Sequence, residues 1–150
     1  AAKLFRNDPD DAERLIGAVL DPPPRDHAAV WVHGEPPDDA PGFETVGIPG
    51  APRWLCRVDS GVDAGKSPAH ESGDLYLFDL SSALLGSLVS VFDRNPPVLL
   101  DLCAAPGGKS ILGWRWLAPR LLLSNEVVGK RLPPLISNLR RCRVGPSGVM

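Results

Sequence analysis

The residues best suited to chemistry lie between Val98 and Ser110, which read Val-Leu-Leu-Asp-Leu-Cys-Ala-Ala-Pro-Gly-Gly-Lys-Ser. An apolar run ends in Asp101, a turn of small residues follows from Cys103 to Gly108, and a helical segment opens at Lys109. Strand, close turn and helix is how α/β proteins build a ligand site at the carboxyl end of a central strand. Small side chains let a ligand approach the backbone, and the new helix offers unpaired N–H groups and a positive dipole end. The segment predicts a nucleotide-like ligand whose polar or charged groups sit at the turn. Glu126 closes the next apolar run. A carboxylate there either accepts hydrogen bonds from the ribose hydroxyls of an adenosine-containing ligand or is a solvated strand-end acid.

Two familiar phosphate loops do not fit. A Walker loop needs Gly, four residues, then Gly-Lys-Ser/Thr. Counting back from Gly108-Lys109-Ser110 puts Cys103 where that first glycine belongs, and Pro106 removes one N–H from the cradle. The dinucleotide fingerprint G-x-G-x-x-G is also absent from the turn.

The string Asp101 to Ser110 closely resembles the first cofactor motif of the Sun/Fmu-type RNA 5-methylcytosine methyltransferases. Tyr76-Leu77-Phe78-Asp79-Leu80-Ser81-Ser82 resembles an upstream segment of that family. Ser124-Asn125-Glu126 with Arg131, Leu135, Asn138 and Arg141-Cys142 is similar to its second motif. The resemblance spans roughly residues 52 to 143. It implies a Rossmann-like α/β fold and S-adenosyl-L-methionine as cofactor. It places cofactor binding on Cys103, Ala104, Ala105, Pro106, Gly107, Gly108 and Lys109, with Glu126 as the ribose-binding acid. Asp101 then reads as an anchor of the turn, and Asp79 either orients the turn or caps a helix.

The same resemblance implies methylation of carbon 5 of cytosine in RNA, ribosomal rather than transfer RNA. In that chemistry a thiolate adds to carbon 6, and carbon 5 then attacks the sulfonium methyl. The family carries its cysteines in Asp-Ala-Pro-Cys and Thr-Cys motifs, and neither string occurs here. No catalytic residue is therefore assigned within this chain. Cys103 is expected to be a small packing residue of the turn. The chain is expected to be the N-terminal, cofactor-binding portion of a longer enzyme. The competing reading is a non-catalytic S-adenosylmethionine- or RNA-binding protein that kept the turn without the chemistry. Two departures stand out: Phe78 replaces the family's usual Gln, and Pro133-Pro134 enter a helix that is usually continuous.

The elements that must position these residues follow from periodicity and punctuation. Asp8-Pro9 starts a helix carrying Ala12, Leu15, Ile16, Val19 and Leu20, and Asp21-Pro22-Pro23-Pro24 stops it. Ala28–Val32 and Arg53–Val58 read as strands, with a Pro- and Gly-rich loop between them and a short strand at Thr45–Ile48. Residues 1–58 form a small α+β region, 59–74 a linker, and 75–150 the first half of a methyltransferase domain. Within that half, Leu75–Phe78 is a strand, and Ser81 or Ser82 caps a helix carrying Leu84, Leu85, Leu88, Val89 and Phe92. Residues 98–102 form the central strand, 109–117 a helix, 121–123 a strand, and Pro133-Pro134 open the last helix. The result is β-α-β-α, the opening of a doubly wound sheet.

Composition sets the outer bounds. The chain has 150 residues, 43% of them hydrophobic, and no apolar run of membrane-spanning length. No charged leader precedes an apolar segment, and three cysteines without a Cys-x-x-Cys pair point to reduced thiols. A cytoplasmic monomer, or a nucleolar or mitochondrial one in a eukaryote, is expected, without metal or membrane. The net charge of −2 hides an asymmetry: residues 1–50 hold four Lys/Arg against ten Asp/Glu, and residues 51–150 hold twelve against eight. Charge alone neither supports nor excludes RNA. His27, His33 and His70 lack metal-ligand spacing, and the four tryptophans read as packing residues. Arg140, Arg141, Arg143, Lys130 and Arg131 either touch an RNA backbone or form a solvated helix face.

Overall fold

The computed structural model describes residue 13 and residues 27–48, 50–89 and 91–150. The helix expected from Asp8 to Leu20 and its Pro-rich stop lie outside these, apart from residue 13. The described residues build two sheets that share one core.

The first sheet is antiparallel. It contains β1 (His27–Trp31), β2 (Phe43–Thr45), β3 (Leu55–Val58) and β4 (Leu75–Asp79), in the order β2-β3-β1-β4. β1 lies between β3 and β4, with Val30 opposite Leu55 on one side and Tyr76 on the other. Its Ala28, Ala29 and Val30 are fully buried, because side chains of a strand alternate between faces and both faces here are covered. Ala28, Val30 and Tyr76 join a core with Ile111, Leu112, Leu122, Leu135 and Leu139, whereas Ala29, Val58 and Leu75 pack with Ala64 on the other face.

Residues 59–74 are not an unstructured tether. They hold a 3-10 turn at Ala64–Lys66 and helix α1 (Pro68–Ser72). Ser67 accepts the His70 N–H, Pro68 sits in the first turn, and Gly73 closes the helix at φ 81°. Gly73 is required twice over: a Cβ there would stand 1.9 Å from the Arg141 carbonyl oxygen. β4, expected in the methyltransferase sheet, is the edge strand of the antiparallel one. The change of sheet falls after Asp79, not at residues 59–74.

Helix α2 (Leu80–Val89) follows β4 directly, so Ser81 and Ser82 lie in its first turn rather than capping it. It buries its small residues: Ala83 is fully buried, and a Cβ on Gly86 would meet Leu112 Cδ2 at 2.3 Å. Leu84, Leu88 and Phe92, expected as packing residues, are exposed instead.

The second sheet is parallel. It contains β5 (Leu99–Asp101), β6 (Leu122–Ser124) and β7 (Ser147–Val149), in the order β5-β6-β7. Helix α3 (Gly108–Leu117) joins β5 to β6, and helix α4 (Leu132–Arg141) joins β6 to β7. Pro133 and Pro134 occupy the first turn of α4, where a missing N–H costs little. β7 was not expected; Ser-Gly-Val is too short and too small to signal a strand. The arrangement is a partial Rossmann-like fold. Among the described residues no helix is long and apolar enough to cross a membrane.

Candidate cofactor site

Asp101 at the end of β5 fixes the turn. Its Oδ1 accepts the Cys103 N–H at 3.2 Å, and its Oδ2 accepts the Ser110 hydroxyl at 2.7 Å. Ser110 in turn accepts the Ser124 hydroxyl at 3.1 Å, and both serines are fully buried. One carboxylate thus ties the turn, the start of α3 and the neighbouring strand together. The second strand holds the turn through backbone as well: Ala104 N–H donates to Asn125 O, and Asn125 Nδ2 donates to Leu102 O.

Within the turn Gly107 adopts φ 118°, which only glycine takes readily. It is packed inward, since a Cβ would lie 3.5 Å from Leu135 and 3.6 Å from Asn138. Ala104, Ala105, Pro106, Gly108 and Lys109 instead line a cavity of about 720 Å³ between the turn and the antiparallel sheet. His27, Asp63, Tyr76, Phe78, Asp79 and Ser82 line its other walls. Asp79 therefore faces the same cavity as Lys109. The structure brings these residues together, while Cys103, Gly107 and Glu126 stand outside that cavity.

Glu126 is not a solvated acid. Its side chain is only 4% exposed. Oε1 accepts the Val128 N–H at 2.9 Å, whereas Oε2 lies 3.4 Å from Arg131 Nη1 and has no hydrogen-bond partner. The carboxylate beside that guanidinium offers acceptor lone pairs only. Both ribose hydroxyls are donors, so the residues present fit an adenosine-containing cofactor.

Cys103 is exposed, which corrects its expected packing role. The other two cysteines are buried, and burial pushes the Cys56 thiol up to about 11 and the Cys142 thiol in the same direction. Neither is poised as a thiolate.

The arginines of the second motif carry the largest surprise. Arg131 Nη2 donates to Ala105 O at 2.6 Å. Arg141 donates to the carbonyls of His70 and Leu75 and stands over the Tyr76 ring at 5.8 Å. Arg143 donates to Ser72 O at 2.6 Å and pairs with Asp74. Three side chains open to an RNA-contact or solvated reading are thus spent on internal carbonyls. No local sequence signal marks these contacts, because the acceptors lie 26 to 71 residues away. The tryptophans pack as expected, with Trp54 against Trp116 edge-on at 5.1 Å and Trp31 against Phe43 at 5.7 Å. Among the described residues no cluster of three or more His, Cys, Asp or Glu could hold a metal ion.

No family model matches the chain. Among curated proteins, the ribosomal RNA small subunit methyltransferase F of Aeromonas salmonicida is 33% identical over 99 residues, which are 64% of this chain and 21% of that protein. Its counterpart in Aeromonas hydrophila is 34% identical over the same share of each. Over those residues the chain is similar to ribosomal RNA small subunit methyltransferase F, in line with the resemblance to the Sun/Fmu-type enzymes read from its motifs. It spans about a fifth of the length of the curated relatives it matches. Among solved structures, a methyltransferase homologue from Pyrococcus horikoshii superposes with a TM-score of 0.68 at 18% identity, covering 94% of this chain and 48% of that one. NSun6 from the same organism, solved with SFG, gives a TM-score of 0.50 at 21% identity over 67% of this chain and 27% of that one. These structural likenesses establish the fold.

Proposed function

We propose that this chain supplies the cofactor half of an S-adenosylmethionine-dependent methyltransferase that modifies carbon 5 of cytosine in RNA, ribosomal rather than transfer RNA. The observation that carries the reading is the buried carboxylate of Glu126, ion-paired with Arg131 and set two residues past the strand that pairs with β5 beside the Asp101-anchored turn. Glu126 would receive the ribose hydroxyls, and the backbone from Cys103 to Lys109 would meet the polar end of the cofactor. When bound, S-adenosylmethionine supplies an electrophilic sulfonium methyl. SFG, bound in the NSun6 neighbour, is an analogue of that cofactor, which supports the same choice.

Lys109 and Asp79 face the cavity beside the turn, so the accepting base is assigned to that side. The thiolate chemistry is assigned to the parent protein rather than to Cys56, Cys103 or Cys142. Among the described residues β5 pairs with β6 alone, and this together with the exposed Leu88 and Phe92 on and after α2 supports a sheet that continues in the parent. Incubating the parent protein with RNA and methyl-labelled S-adenosylmethionine tests the reading. Label recovered as 5-methylcytidine from ribosomal RNA supports it. Label on another base, or none with an active protein, overturns it.

A further inference from the structure

We propose that Asn138 is a positioning residue through which the antiparallel sheet sets the shape of the cofactor turn; the proposal rests on the turn being the cofactor site. Asn138 lies on α4 with its Nδ2 donating to Pro106 O at 2.8 Å and reaching Tyr76 Oη at 3.5 Å. Its Oδ1 accepts from Arg141 Nη2 at 3.4 Å. A carbonyl on one side and a guanidinium on the other fix the orientation of the amide. Arg141 is itself held by the carbonyls of His70 and Leu75, on α1 and β4. The path therefore runs from β4 through Arg141 and Asn138 to the backbone of the turn.

The turn has few other restraints on that side. Ala105 O is held by Arg131, the residue before α4, and Pro106 O by Asn138 on it, so two successive carbonyls are gripped from one side. Gly107 then packs against Asn138 itself. Loss of the Asn138 amide frees one of the two carbonyls while leaving the apolar seat of α4, Leu135 and Leu139, in place.

The decisive variant is N138D, which keeps size and the Arg141 partner but turns an acceptor toward Pro106 O. The readouts are the amide resonances of Gly107 and Gly108 and the rate at which a thiol reagent modifies Cys103, the exposed cysteine. N138D is expected to speed Cys103 modification roughly tenfold and to weaken S-adenosylhomocysteine binding by a similar factor, the worth of one hydrogen bond. The Gly107 and Gly108 resonances shift, while those of Ala28–Val30 and the thermal midpoint stay near the parent values. Should N138D fold poorly, N138A deletes the same bond without adding charge and is expected to act alike. Unmoved Gly107 and Gly108 resonances with an unchanged Cys103 rate would overturn the proposal, as would changes spread over the whole chain in step with lost stability. A parent chain that does not bind S-adenosylhomocysteine defeats the cofactor reading alone, since the resonances and the thiol rate still judge Asn138.

Discussion

The two sheets are finished to different degrees. In the antiparallel sheet the central strand has a partner on each side and a covered face above and below. In the parallel sheet β5 has one partner among the described residues, Leu100 is 49% exposed, and nearby Leu88 and Phe92 on and after α2 are 62% and 66% exposed. Parallel strands are ordinarily buried on both faces. The difference teaches that stability and ligand chemistry are divided: the antiparallel sheet, with α1 and α4, is the platform, and the parallel sheet carries the site but leaves an edge open.

The largest break in this comparison should come from truncation in the platform. Leu75→Ala removes a fully buried side chain and is expected to cost about 2–5 kcal/mol in denaturant unfolding. Leu100→Ala on the open sheet is expected to stay within about 0.5 kcal/mol. Equal costs would erase the distinction.

Next in size is the polar pin between the sheets' shared core and the turn. Ser110→Ala strips Asp101 and Ser124 of a partner and is expected to lose about 1–3 kcal/mol. A neutral result would mean that the turn is held by its backbone alone.

Leu88→Glu should leave the unfolding midpoint of this chain nearly unchanged, because the side chain is exposed. A large loss of stability would place Leu88 in the platform's core instead.

The smallest effect is a pH dependence. Burial, then the neighbouring Arg141, lowers the His70 pKa from its ordinary 6.5. The unfolded chain therefore takes up the proton first as pH falls, and stability declines below about pH 6.5 until the folded His70 titrates too. His70→Gln should flatten thermal midpoints across that window. An unchanged slope would assign the dependence to another group.

Sequence reading found the turn because Asp101 to Ser110 is a long and specific string, and its anchor, helix and following strand all stand where expected. It also found β1, β3 and the prolines of α4. It misplaced β4, since Leu-Tyr-Leu-Phe-Asp shows a strand but not which strand it pairs with. It read residues 59–74 as a linker, although Ser67 and Gly73 cap α1 and Pro68 opens its first turn. Apolar count misled at α2, where the close approach of α3 selects Ala83 and Gly86 for the buried side. The tasks of Arg131, Asn138 and Arg141 were out of reach because their acceptors lie 26 to 71 residues away in sequence. Burial of Glu126 likewise depends on the tertiary fold.

The central claim is that the turn and Glu126 form an S-adenosylmethionine site. Calorimetric titration of S-adenosylhomocysteine into this chain, with Glu126→Ala beside it and ATP with magnesium as the counter-ligand, tests it most directly. The unsubstituted chain is expected to show saturable single-site binding, Glu126→Ala a loss of roughly tenfold or more, and neither chain any binding of ATP. Binding that is indifferent to Glu126, or magnesium-dependent binding of ATP, would contradict it.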